Sequence, residues 1–155
     1  MTSKTVVVER RIAADQGTVW AALTDLQGME HVLTGVSKIE VLSGDGFGVG
    51  TRWRETRRMF GRDATEEMWV TACDPPERYV VEAESHGTHY LSEWVLRAHG
   101  PVTTTVGMTF TAQAPSRGAM GVLAKILGGL GARAVSKAIA KDLDDVAAAV
   151  EGRTG

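Results

Sequence analysis

The alternation of apolar and polar residues changes period along the chain. Residues 5–13 alternate with a period of two, which predicts a strand. Asp15 then precedes a segment, 16–26, whose apolar residues have helical spacing, so we expect Asp15 to cap a first helix. A second short helix is predicted over 29–34, ending where Gly35 can adopt a positive φ.

Further segments with a period of two follow, separated by short clusters of Gly, Asp, Pro and His. These predicted strands are 37–43, 51–60, 64–73, 78–85, 89–98 and 103–114. Short turns join antiparallel neighbours. From Ser116 to near Val150 the apolar spacing is helical again. The order predicts an α+β fold in which the long terminal helix covers one face of an antiparallel sheet.

Composition narrows the class of protein without naming a function. The 155 residues are 43% hydrophobic and 23% charged, which fits one globular domain over 1–155 with a real core. The lone Cys73 excludes an internal disulfide and suits a cytoplasmic location. No apolar run is long enough for a membrane span. A net charge of −2 argues against nucleic acid as a partner.

Four stretches of the chain resemble the SRPBCC superfamily, in its polyketide cyclase/dehydrase-like branch. They are VERRIAA at 8–14, VWAALTD at 19–25, GVGTRWRET at 48–56 and DPPERY at 74–79. The resemblance implies a helix-grip fold, in which a curved seven-stranded antiparallel sheet wraps around a long C-terminal helix. It also implies two short helices after the first strand and a cavity that holds lipids, polyketides or other apolar molecules.

Strand alternation indicates which side chains face that cavity. The expected ligand-binding residues on the inner face of the sheet are Trp53, Glu55, Met59, Met68, Val70, Tyr79, Val81, Tyr90, Trp94, Met108 and Phe110. Leu123 and Leu127 are expected to line the cavity from the long helix. An apolar wall with few polar groups is typical of a small-molecule pocket.

Glu55, Arg57 and Tyr90 are the candidate catalytic residues, because each is a polar group on the predicted inner face. Glu55 can form a structural ion pair with Arg57, or it can anchor a ligand or move a proton. Both readings remain open.

No metal site or cofactor is expected. His86 and His89 straddle a predicted turn, and no third ligand follows at a suitable spacing. The glycines at 44, 46 and 48 lack the spacing of a dinucleotide fingerprint. The arginines within 52–62 are expected mainly to pair with glutamates of later strands on the outer face of the sheet.

The terminal helix contains five glycines between 118 and 131. They indicate either a packing break, with the helix proper starting near Ala132, or a loosened lid over the pocket. Further along, Asp142, Asp144 and Asp145 next to a basic row predict a solvated helix face.

The sequence is compatible with three functional hypotheses. The leading hypothesis is sequestration or transport of an apolar small molecule in an internal cavity. The first alternative is an aromatic polyketide cyclase/dehydrase that uses acid/base catalysis in the same cavity. The second is an accessory protein-interaction module with a vestigial pocket. Whether the protein is an enzyme, and whether it forms a homodimer, stays open.

Overall fold

The computed structural model describes residues 2–59, 61–85, 87–114 and 129–151, and within these the side chains of 2, 59, 114, 129 and 130 are not described. The elements, in chain order, are β1 (Thr2–Ile12), α1 (Gln16–Thr24), α2 (Leu26–Val32), β2 (Val36–Ser43), β3 (Arg52–Met59), β4 (Arg62–Asp74), β5 (Arg78–Ser85), β6 (Thr88–Ala98), β7 (Thr104–Ala114) and α3 (Gly129–Glu151). The predicted α+β order is confirmed.

The seven strands form one curved antiparallel sheet in the order β1-β7-β6-β5-β4-β3-β2. Consecutive strands from β2 to β7 are neighbours, and short turns join them except between β2 and β3, where residues 44–51 form a longer loop. The chain crosses from β1 to β2, at the opposite edges, through α1 and α2. Register shifts interrupt β2 and the β4–β5 ladder, and such bulges increase strand bending. The helix-grip architecture implied by the resemblance is confirmed.

Two aspartates start the short helices. Asp15 accepts hydrogen bonds from the Thr18 amide at 3.0 Å and the Thr18 hydroxyl at 2.6 Å, which confirms the predicted cap and lowers the pKa of Asp15. Asp25 accepts from the Gly28 amide at 3.1 Å. This second cap was not predicted, and it begins α2 three residues before the expected start. A Cβ at Gly28 would clash with the Asp25 carboxylate.

The core lies between the inner face of the sheet and α3. Val106 and Leu96 of the sheet are fully buried, as are Leu143 and Val146 of the helix. α3 packs mainly on β1 and on α1. The apolar side of its C-terminal half is therefore closely packed.

The link between β1 and α1 is fixed by a buried hydroxyl. Thr104, at the start of β7, donates from Oγ1 to the carbonyl oxygen of Ala14 at 2.8 Å, and both residues are fully buried. Because Ala14 leads directly into α1, this bond positions the short helices over the sheet.

Replacing Thr104 by Val should lower the free energy of unfolding by about 1–2 kcal/mol, because the shape is kept and a buried carbonyl loses its donor. Thr105→Val, on the outer face of the same strand, is the matched control and should change stability by less than about 0.5 kcal/mol. Urea denaturation measures both. Equal effects would show that the Ala14 bond does not stabilise the fold.

Candidate ligand-binding site

The inner face of the sheet carries a continuous apolar wall. Trp53, Tyr79 and Met108 are buried in it, whereas Tyr90 and Trp94 are half-buried although their strands lie in the middle of the sheet. These positions are those that strand alternation predicts. Tyr90 and Trp94 therefore retain accessible aromatic surface that another molecule can cover.

Cross-strand register brings the aromatic rings together. Tyr79 lies opposite Trp94, and their rings stack at 5.7 Å with an interplanar angle of 11°. Tyr90 and Phe110 stack in the same way at 5.6 Å and 23°. Trp20 of α1 meets Tyr79 edge-on at 5.5 Å. Such arrangements place flat apolar faces side by side along the wall.

A cluster of charged side chains lies on the same face. Arg57 donates two hydrogen bonds to Asp142 of α3, Nη1 to Oδ1 at 3.0 Å and Nη2 to Oδ2 at 2.8 Å. Its Nε and Nη2 also lie 3.4 and 3.3 Å from Glu55 Oε2. All three side chains are at most 20% exposed. The guanidinium is thus enclosed by two carboxylates.

Burial and charge act in opposite directions in this cluster. Burial alone would lower the pKa of Arg57, but Asp142 and Glu55 together raise it. Burial raises the pKa of the Asp142 carboxyl, and Arg57 offsets only part of that effect. Burial, with the nearby Glu55 charge, also raises the pKa of Tyr79 well above its usual range. Tyr79 therefore stays a neutral phenol.

The predicted solvated face of the terminal helix is wrong for two of its three aspartates. Asp142 and Asp145 are buried. Asp145 accepts from the amide and the hydroxyl of Thr34, both at 2.9 Å, and from Lys141 at 2.7 Å. Only Asp144 is exposed, where it pairs with Arg10. The spacing of the aspartates along the helix correctly indicates a polar face. It cannot indicate that the loop after α2 and strand β3 cover that face.

The loop between β2 and β3, residues 44–51, contributes one ring that sequence reasoning did not assign to the site. Phe47 lies 5.0 Å from Tyr79, edge-on, and 6.3 Å from Trp53. Nearby, the indole nitrogen Nε1 of Trp53 is buried and has no hydrogen-bond partner among the described residues. A glycine-rich loop has no hydrophobic periodicity from which burial can be predicted. The one sequence signal for this residue is an aromatic side chain among glycines.

The structure brings the predicted wall together on one face. The predicted residues with described side chains on that face are Trp53, Glu55, Arg57, Met68, Val70, Tyr79, Val81, Tyr90, Trp94, Met108 and Phe110. Only the backbone of Met59 is described. Leu123, Leu127 and residues 115–128, with most of the glycine-rich segment, lie outside the described residues. Their assignment to a pocket, and the choice between lid and packing break, stay predictions.

No group of three or more His, Cys, Asp or Glu side chains is placed to hold a metal ion in 2–59, 61–85, 87–114 and 129–151. His86 is outside these ranges, and His89 contacts Glu82 at 2.6 Å. No helix in the same ranges is both long and apolar enough to cross a bilayer.

The chain belongs to the family described as polyketide cyclase/dehydrase and lipid transport, which it matches over residues 3–151. This agrees with the resemblance found in the sequence. No curated protein matches the chain.

Solved structures share the fold over almost the whole chain. The Zhui aromatase/cyclase from a Streptomyces species is 21% identical, with a TM-score of 0.81, and the match covers 99% of this chain and 97% of that one. The protein TTHA0849 of Thermus thermophilus is 22% identical, with a TM-score of 0.79 and coverage of 98% and 100%. Norcoclaurine synthase from Thalictrum flavum is 16% identical, with a TM-score of 0.76 and coverage of 99% and 98%. At these identities the likeness shows the fold alone.

Replacing Asp142 by Asn should lower the free energy of unfolding by about 2–3 kcal/mol, because the enclosed Arg57 charge loses its bidentate partner. Asp144→Asn is the matched control two residues away. Its pair with Arg10 is exposed, so the loss should be below about 1 kcal/mol. Urea denaturation of both variants measures the difference, and similar losses would contradict the structural role of the Arg57–Asp142 pair.

Proposed function

We propose that this protein binds an apolar, flat small molecule against the inner face of its sheet and carries or sequesters it. The observation that supports this most is the wall of paired aromatic rings, in which Tyr90, Trp94 and Phe110 stay half-buried. A ligand that covers the remaining area gains about 25 cal/mol for each Å² of apolar surface removed from water. Family membership supports the same function.

The charged cluster favours binding over catalysis as the leading function. Arg57 directs its guanidinium at Asp142 and Glu55, so its donors are already engaged. A residue that ties a helix to a sheet is poorly suited to moving a proton. The structural ion pair is therefore the reading of Arg57 that the geometry favours.

A cyclase/dehydrase reaction is the second candidate, and one observation favours it. The Glu55 carboxylate lies on the inner wall and is 13% exposed. Its charge is close enough to Tyr79 to contribute to the raised pKa of the Tyr79 phenol. A carboxylate in this position can accept a proton from a bound poly-β-ketone chain that the wall holds folded. Tyr90, whose pKa burial raises, can donate a hydrogen bond to a carbonyl oxygen.

The remaining expectations concern partners and place. On the outer face Arg52 pairs with Glu67 at 2.6 Å, and Arg78 with Glu93 at 2.7 Å, which supports a role without nucleic acid. A cytoplasmic location, a single domain over 1–155 and a homodimer remain proposals. The accessory role with a vestigial pocket predicts that no apolar ligand binds.

The neutral fluorophore N-phenyl-1-naphthylamine should bind the protein, and Trp94→Leu should weaken its binding about tenfold, because a flat contact surface is lost. Trp69→Leu is the matched control. Trp69 lies on the outer face beneath the Arg52 guanidinium, so its loss should leave the affinity unchanged. Fluorescence titration measures all three proteins. No binding by the natural protein, or equal loss in both variants, would contradict the proposal.

Glu55→Gln tests the catalytic alternative. If the protein is a cyclase, this variant should lose turnover of a linear poly-β-ketone substrate. Its melting temperature should stay nearly unchanged, because the Arg57–Glu55 contacts of 3.3 and 3.4 Å are longer than the Arg57–Asp142 bonds and the Gln carbonyl still accepts from Arg57. If binding alone is the function, the natural protein shows no turnover and the variant keeps its affinity for the fluorophore. Chromatographic detection of the cyclised product separates the two.

A further inference from the structure

Phe47 contacts the inner aromatic wall and also lines a cleft on the protein surface. Its ring packs edge-on against Tyr79 at 5.0 Å and lies 6.3 Å from Trp53. The same residue lines a cleft of about 210 Å³ between the α1–α2 junction and the β2–β3 loop. Phe47 therefore connects the wall with this cleft.

The loop that carries Phe47 is bonded to itself through Thr51, whose amide donates to the Gly48 carbonyl at 3.0 Å and whose hydroxyl group makes two further hydrogen bonds. Thr51 is 4% exposed, and its Oγ1 donates to the Gly46 carbonyl at 2.9 Å and accepts from the Gly48 amide at 3.0 Å. These two glycines flank Phe47. A Cβ added at either glycine would meet nothing within 4 Å, so close packing does not hold this part of the backbone. Thr51 is the positioning residue for Phe47.

Three glycines give the loop backbone its shape. Gly44, Gly46 and Gly50 have φ values of 118°, 130° and 94°, which glycine adopts at little cost. Because glycine also adopts negative φ readily, these positions can serve as hinges for a displacement of Phe47. The ends of the loop remain bonded, since Gly50 donates to the Val70 carbonyl at 2.9 Å.

Trp53 gives a reason for a ligand to take the place of Phe47. Its buried Nε1 lacks an acceptor among the described residues, and a buried donor without a partner costs free energy that a bound acceptor restores. A phenyl ring such as Phe47 offers no oxygen or nitrogen acceptor. A flat ligand whose oxygen reaches the indole N–H would supply the missing acceptor.

We propose that Phe47 is a gate: a flat aromatic ligand carrying an oxygen acceptor enters from this cleft, displaces Phe47 and accepts a hydrogen bond from Trp53 Nε1. This inference rests on the proposed binding function. Thr51 holds the gate closed in the ligand-free protein.

Stopped-flow fluorescence with N-phenyl-1-naphthylamine tests the gate. Thr51→Val keeps the shape and removes the hydroxyl, so association and dissociation should both accelerate about tenfold. Thr51→Ser keeps the hydroxyl and should restore rates within about twofold of the natural protein. Phe47→Ala removes the competing ring, so association should accelerate and the equilibrium affinity should rise. Val102→Ala, at an exposed residue in the β6–β7 turn, should change neither rate.

The acceptor requirement has its own matched pair of probes. 2-Acetylnaphthalene should bind about fivefold more tightly than 2-isopropylnaphthalene, which has nearly the same shape and no carbonyl. The difference should vanish in Trp53→Phe. Equal binding of both compounds to the natural protein would contradict the proposed hydrogen bond to Trp53.

Failure of the gate and failure of binding give different results. If the fluorophore binds but Thr51→Val and Phe47→Ala keep the natural rates, ligands enter elsewhere and the gate is wrong. If no probe binds, the proposed function fails and the gate is judged on the ligand-free protein. Hydrogen exchange of the Trp53 indole, assigned by NMR with Trp53→Phe, should then be about tenfold faster in Thr51→Val, and an unchanged rate would overturn it.

Discussion

The ion pair between Arg57 and Asp142 determines how the terminal helix closes over the sheet. The helix packs on β1, at one edge, and Asp142 ties it to β3, which lies beyond β7, β6, β5 and β4 in the sheet order. Asp145 also binds Thr34, just before β2, and the Arg57–Asp142 pair adds a direct bond from the helix to a strand near that distant edge. Because the pair is mostly removed from water, breaking one partner costs far more than the pair contributes net. The arrangement therefore specifies where the helix lies.

The inner face divides into a structural part and a part available to a ligand. Leu143, Val146 and Val150 of the helix are fully buried, and Asp145 closes the loop after α2. Along the middle strands, by contrast, the stacked pair of Tyr90 and Phe110 is only half-buried. Close-packed residues tolerate little change of volume, whereas partly covered ones can adapt to another molecule. Substitutions at the half-buried positions can therefore alter the contacts with a ligand at a smaller cost in stability than substitutions in the close-packed part.

Sequence reasoning predicted what depends on local period and missed what depends on distant partners. Alternation was sufficient to place Trp53, Tyr79 and Met108 on the inner face, because one face of a strand keeps its identity along a regular ladder. Asp142 looked solvated because its partner Arg57 lies 85 positions away in the chain. Phe47 was missed because loop residues have no period from which burial can be inferred. Asp25 was missed because a cap can follow directly on another helix.

The tryptophan at position 53 is informative about the kind of ligand. Phenylalanine would supply an aromatic face there without burying an N–H group, and the Trp53 N–H has no acceptor among the described residues. An unsatisfied buried donor weakens the ligand-free protein and strengthens any complex that supplies an acceptor. The unsatisfied N–H therefore widens the free-energy difference between the ligand-free protein and the complex. Purely hydrocarbon ligands would gain nothing from this difference, which is why the ligand proposed above carries an oxygen acceptor.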